Sequence, residues 1–403
     1  MTVYTLVGII AAIALVINVV RYLISKPDRL FVAYVQDFVG AFFIFSGAVK
    51  AIDPLGTAYK MTDYFVEFGL DFMEPLTVGF AVFMIVLEIA LGVSLILNFA
   101  KAVTLFLLTG MIVFFTFLTG YTSYTGHVTD CGCFGDFLKL EPIVSFGKDI
   151  FLSVLILILL FQARYIKGLF SGIAASATVV LITVASFFFC LYNFVWNLPV
   201  VDFRPYAIGK NIPEQMIVPE ENKAIVEYEF IYKNKATGEN KQFKQTEMPK
   251  GEEKQKWEFV ERIDKVIKKG IDPNINNFRL EDEDGNVMND SILLNPNYVF
   301  FVVAYNLEHT HKEAYKQLNE LALNAEKDGY MFFVGTSAPR TEIEAFRHEM
   351  QTAYPFYVGD GTFLKTINRS NPGLMIIKNG TVVGQWHHRH LPTYSELKAN
   401  TLK

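Results

Sequence analysis

The chain has 403 residues, of which 52% are hydrophobic, 15% aromatic and only 19% charged, with a formal net charge of −5. That balance is too apolar for an ordinary soluble enzyme and too varied for a disordered chain. The negative charge excludes a broad electrostatic surface for nucleic acid, and three cysteines exclude a disulfide-stapled scaffold.

The charge is unevenly placed. Residues 1–199 hold 10 lysines and arginines and 12 acidic residues, while residues 200–403 hold the other 26 and 29. The first half reads as membrane and the second as a water-soluble domain. Crossing ~30 Å of hydrocarbon takes about 20 apolar residues. Six runs meet or approach that length, at about 2–24, 31–50, 75–98, 103–122, 148–163 and 171–197. The fifth is the shortest and begins with Lys148 and Asp149. The first has no basic leader and exceeds a signal-peptide core, so it reads as a retained span.

Arg21, Lys26 and Arg29 lie between runs one and two, Lys101 between three and four, and Arg164 and Lys167 between five and six. With six spans these loops share one side, which the positive-inside rule makes cytoplasmic. The 51–74 loop, the 123–147 loop and everything after about 198 are then expected outside, in the periplasm of a cell with two membranes.

Several features of the membrane half bear on chemistry. The 123–147 loop reads Gly-His-Val-Thr-Asp-Cys-Gly-Cys-Phe-Gly-Asp from Gly126 to Asp136. Cys131 and Cys133 form a Cys-Gly-Cys pair on the oxidising side, and a disulfide across one residue closes a small ring. Strain of that kind favours a labile bond over a structural staple. His127, when protonated, favours thiolate, and Asp130 and Asp136 oppose it. The alternatives are a structural clip, idle thiols, or a metal site from His127, both cysteines and an aspartate. Glu88 falls near the middle of the third run, where a charge costs at least a few kcal/mol unless paired or turned inward. It is the candidate for a proton or quinone site, against an interhelical packing contact. Asp37 lies nearer the cytoplasmic end. Lys50 and Asp53 are expected to pair at a helix end, and Cys190 to be a packing residue.

In the outer half, Pro199, Pro205 and Pro213 predict an extended linker on the membrane surface. Ile225–Tyr232 and Lys241–Lys244 read as a hairpin, and a charged helix is predicted over 252–268. Next come strand, turn and strand through Asp284-Gly285, a buried strand at Tyr298–Ala304, and a helix over 310–326. A buried strand at Tyr330–Gly335, a helix at Thr341–Met350 and a short strand at Phe356–Val358 follow. A hairpin around Asn379-Gly380 and a helix from about Thr393 close the order, which is that of a thioredoxin fold. His309 and His311 read as a solvated helix start, and His387, His388 and His390 as exposed polar surface. Neither group is assigned a metal.

These residues carry two resemblances. NFRLEDEDGNV (277–287) and NPGLMIIKNGTVVGQW (371–386) resemble the membrane-tethered, TlpA-like thioredoxin family. The resemblance places a cis-proline at Asn371-Pro372, implying a peptide-docking groove there. The family's redox cysteines would stand near Leu307–His311, but residues 200–403 contain no cysteine, so this domain alone has no thiol–disulfide chemistry. FSGAVKAIDPLG (45–56), LEIALG (87–92) and DCGCFGD (130–136) make residues 31–163 similar to the DoxX/MauE superfamily of four-helix membrane proteins. The MauE branch supports maturation of a disulfide-rich periplasmic dehydrogenase. The whole resembles DoxX-type proteins of Bacteroidota with a fused thioredoxin-like tail.

The expected architecture is a membrane bundle over 1–199, a linker and hairpin/helix subdomain over 200–270, and a thioredoxin-like domain over 271–403. The expected function is redox maturation of exported or envelope proteins through Cys131 and Cys133, with Asn371 and Pro372 docking the client. Two alternatives are a non-enzymatic scaffold of an envelope complex, and small-molecule or lipid handling inside the bundle. The last requires a deep cavity.

Overall fold

A computed structural model of the chain describes residues 2–126, 132–170, 172–244, 247–248, 255–268, 270 and 272–402. Among the described residues, seven α-helices build the first half: α1 (Val3–Ser25), α2 (Leu30–Ile52), α3 (Pro54–Glu67), α4 (Thr77–Leu97), α5 (Lys101–Thr125), α6 (Pro142–Phe161) and α7 (Ile173–Leu191). All but α3 are long and apolar enough to span a membrane, α4 and α7 counting their flanking turns at Asp71–Leu76 and Tyr192–Trp196. This is a multi-pass membrane bundle. Its centre is the α2–α4 pair, where backbones meet at two glycines: a Cβ on Gly92 would lie 2.6 Å from the Gly40 carbonyl oxygen. Small residues at such a crossing let dispersion contacts replace the hydrophobic drive that lipid does not supply.

α6 begins six residues before the predicted apolar run. Pro142 suits the first helical position, where no N–H is needed. Lys148 and Asp149 enter the bundle paired with each other, and Thr119 Oγ1 donates to Asp149 at 3.0 Å. The basic loops meet at one end. Arg21 pairs with Asp37 and donates to the Ile96 carbonyl at 2.8 Å, Lys101 reaches the Ala163 carbonyl at 3.0 Å, and Lys167 pairs with Asp28 at 3.0 Å.

Beyond the bundle come α8 (Ile212–Gln215) and an antiparallel sheet in the order β2-β1-β3, from β1 (Ile225–Asn234), β2 (Asn240–Lys244) and β3 (Trp257–Lys268). β3 corrects the helix predicted over 252–268: it pairs with β1 from Ile225↔Lys268 to Asn234↔Trp257. The surface linker is also corrected. Tyr206 and Ile212 are buried in the core of the following domain, and the 209–212 backbone bonds to Gly380 and Val382.

That domain contains β4 (Leu280–Glu281), α9 (Asn289–Leu293), β5 (Tyr298–Val303), α10 (Tyr315–Lys327), β6 (Met331–Thr336), α11 (Arg340–Met350), β7 (Phe356–Gly359), α12 (Gly361–Ile367), β8 (Gly373–Lys378), β9 (Thr381–His387) and α13 (Tyr394–Asn400). The sheet order is β4-β7-β6-β5-β8-β9, with β5 parallel to β6 and antiparallel to β8. This is the thioredoxin arrangement. β5 is buried along its whole length because apolar layers cover both sheet faces. That is why its sequence, YVFFVV, does not alternate.

Candidate functional site

The loop after α5 defines the site. His127, Asp130 and Cys131 lie outside the described residues. From Gly132 onward the chain folds back into the bundle. Gly132 sits at φ +65°, with the Lys60 side chain 3.2 Å from where a Cβ would stand. Phe134 is 1% exposed and packs on Phe42 and Phe45 of α2, with ring centroids 5.7 and 6.0 Å away. Ser46 Oγ donates to the Cys133 carbonyl at 3.2 Å. Cys133 is half-buried against the core of the bundle, and it faces inward more than outward.

Cys133 and Gly132 border a cavity of about 280 Å³ between α2, α3, α4 and α5. Its walls are largely apolar, with Tyr64, Phe65, Phe68 and Phe115 among them. Lys50, Glu88, Lys60 and Lys148 supply the charge. The bundle thus has the cavity that small-molecule handling requires. Lys50 turns inward and pairs with Glu88, which corrects the expected Lys50–Asp53 pair. A buried carboxylate at mid-helix is stabilised by a cation, and Lys50 supplies it. Cys190 is fully buried among α4 and α7 side chains and does not line this cavity.

Asp53 instead pairs across the domains. Arg369, three residues before Pro372, donates from Nε to Asp53 Oδ2 at 2.9 Å and from Nη2 to the same oxygen at 2.8 Å. Nη2 also reaches Asp136 Oδ2 at 3.0 Å. The guanidinium is only 3% exposed. Burial alone would raise the Asp53 carboxyl, but the Arg369 charge and its hydrogen bonds hold it below the usual carboxylate range. The contact is extended by Tyr59 Oη on Tyr305 Oη at 3.4 Å and by Arg389 Nε on the Val195 carbonyl at 3.0 Å. The end of the thioredoxin-like sheet that carries the proline therefore faces the membrane bundle beside the cysteine loop.

At that end the Asn371–Pro372 bond is cis. Asn371 Nδ2 donates to the Asn306 carbonyl at 2.7 Å, and the His311 N–H to the Asn371 carbonyl at 3.0 Å. The two histidine groups, expected apart and exposed, come together here. His311 stacks on His388 at 3.9 Å, His388 lies 4.1 Å from His387, and His387 is buried. Ser370 Oγ lies 2.9 Å from His388 Nδ1. Burial, then the neighbouring positive charges, push His387 down to about 4 and His388 to about 3. Among the described residues, no three His, Cys, Asp or Glu converge as metal ligands.

The position of this cavity and loop directs attention to the four apolar spans α2, α4, α5 and α6 together with α3. Residues 28–162 match the family model described as methylamine utilisation protein MauE. The MauE region thus contains the cavity, the cysteine loop and Asp53. Residues 226–269, the three-stranded sheet, match a family described only as a domain of unknown function. No curated protein matches the chain. A solution structure of a candidate protein disulfide isomerase from Bacteroides thetaiotaomicron aligns at 14% identity and a TM-score of 0.27. The alignment covers 31% of this chain and 86% of that one. The thioredoxin assignment rests on strand order, not on this likeness.

Sequence reading did not find Arg369, or Lys50 as the partner of Glu88. One signal was available: Asp53 and Asp136 sit in the two outer motifs of the MauE region and had only Lys50 proposed between them. Two carboxylates in motifs that meet at one membrane surface invite a cation from elsewhere in the chain once the fold buries them.

Proposed function

We propose that this is an inner-membrane protein, of the DoxX/MauE kind, that supports thiol–disulfide maturation of exported or envelope proteins. Cys131 and Cys133 carry the exchange, and the thiol-free thioredoxin-like domain works in the periplasm as a non-catalytic docking module. The observation that carries the reading is the Arg369 bridge. It ties the proline end of a domain without cysteines to Asp136, three residues beyond Cys133. A thiol-free thioredoxin fold is thereby stationed where thiols are present.

In the exchange, a client thiolate attacks the Cys131–Cys133 disulfide and forms a mixed disulfide, releasing one loop thiolate. The second client thiolate then displaces the loop and leaves a client disulfide and a loop dithiol. Lys148 and Lys60 line the same cavity as Cys133, each beside an acidic partner, Asp149 and Asp63.

Alkylation trapping in cells tests this. The loop cysteines should shift between oxidised and reduced forms as exported proteins are made, and C131S and C133S should accumulate reduced clients. Loop thiols that never change state, with exported disulfides intact in both variants, would leave the scaffold reading in place.

A further inference from the structure

The cavity behind Cys133 has features that loop chemistry alone does not require. It holds about 280 Å³. An apolar cavity of ~150 Å³ is enough for a benzene ring, so this one takes a substituted or fused ring. The walls are mostly apolar, with several aromatic rings among them, yet they include a buried carboxylate. Glu88 is 1% exposed; Oε1 accepts from Lys50, and Oε2 has no hydrogen-bond partner among the described residues. A buried charged oxygen left without a donor is costly, and a ligand hydroxyl would satisfy it. Two further lining residues, Phe114 and Phe117 of α5, are 43% and 60% exposed on the apolar flank of the bundle. The cavity is thus bordered by side chains that face lipid, which suits a ligand arriving from the bilayer.

We infer that this cavity binds the ring of a lipid-soluble quinone, with Lys50 and Glu88 as its polar contacts. Lys50 donates to a quinone carbonyl, and the corresponding quinol hydroxyl donates to Glu88 Oε2. An acyl chain fits the apolar walls but offers nothing to the carboxylate. What the ring does rests on the exchange reading above. The loop dithiol loses two electrons and two protons as its S–S bond forms, and the quinone gains both to become quinol. Whether the ring binds does not depend on that reading.

The test uses the full-length protein in nanodiscs, with decylubiquinone as the probe. Wild type should bind it saturably, one per chain. E88Q should weaken binding of the reduced probe, decylubiquinol, at least tenfold, because it is the quinol hydroxyl that donates to Glu88 Oε2. M84W, which fills the cavity from the α4 side and leaves Lys50 and Glu88 in place, should abolish binding. V180W, on the outer flank of α7, should bind as wild type. Thiol state is read by alkylation in the same samples. Saturable binding with loop thiols that stay reduced keeps the site and sinks the exchange reading. Absence of saturable binding, unchanged binding in M84W, or equal displacement by dodecanoic acid overturns the site, whatever the thiols do.

Discussion

Replacing Arg369 by alanine is the sharpest perturbation of the domain contact. The guanidinium is 3% exposed, and its partners Asp53 and Asp136 are 14% and 18% exposed. Breaking a buried pair costs about 3–5 kcal/mol, because the surviving charge has no counterion. Here two carboxylates survive, facing each other across the vacated space. Their slight exposure places the expected loss at the lower end, about 3 kcal/mol, or roughly a hundredfold in the docked-to-undocked ratio. R369K should recover only part of it, since an ammonium does not reproduce the fork on Asp53. Hydrogen exchange reads the result at Gly56, whose N–H donates to Asp53 Oδ1 at 3.0 Å. Limited proteolysis at 197–203 reads it independently. The Asp53 carboxyl is held low, so its contribution is full above the ordinary carboxylate value of ~4 and is lost only as pH falls below that. Docking should therefore persist at pH 5 and fail in stronger acid. If R369A kept wild-type Gly56 protection and cleavage rate, the ion pair would not be what holds the domains together.

Other perturbations test the rest of the architecture. Phe134→Ala removes the wedge under the loop and should cost about 3–5 kcal/mol, with faster alkylation of Cys133 as the readout. Gly92→Leu drives a side chain into the Gly40 carbonyl and Ile44. It should destabilise the bundle by about 1–3 kcal/mol in detergent unfolding, whereas Gly79→Leu, with nothing within 4 Å of its added Cβ, should not. His388 and His387 are held neutral, pushed down to about 3 and about 4 by burial and by neighbouring charge. The unfolded chain binds their protons first, so stability should be constant above pH ~6.5 and fall as pH drops toward 4. H388Q should flatten that slope in thermal melts of the full chain.

Much of the fold could be read from residue patterns, because its signals were of the kind patterns carry. Six apolar runs and the β-turn punctuation around Asp284-Gly285 and Asn379-Gly380 need no tertiary information. The segment 257–268 failed for a physical reason. Its apolar residues, Trp257, Phe259, Val260, Ile263, Val266 and Ile267, fall at helical spacing. β1 offered an unpaired edge, and ten residues of backbone pairing outweighed the local period. The prolines up to 213 suggested an extended surface linker, but the segment turns at 204–209 and enters a short helix at Ile212, since Tyr206 and Ile212 gain most by burial in a core far along the chain. At the site, Glu88 and the loop cysteines stood out because a mid-span charge and closely spaced thiols are conspicuous alone. Arg369 and Lys50 did not, because each acquires meaning only beside a carboxylate that the fold brings to it.

Under the docking role proposed above, the orientation of the thioredoxin-like domain sets a threshold for a visiting polypeptide. The proline end already faces a tenant on the same molecule, and a tether keeps that tenant at an effective concentration on the order of millimolar. A newcomer must bind more tightly than that internal competitor, or arrive when the arginine has let go.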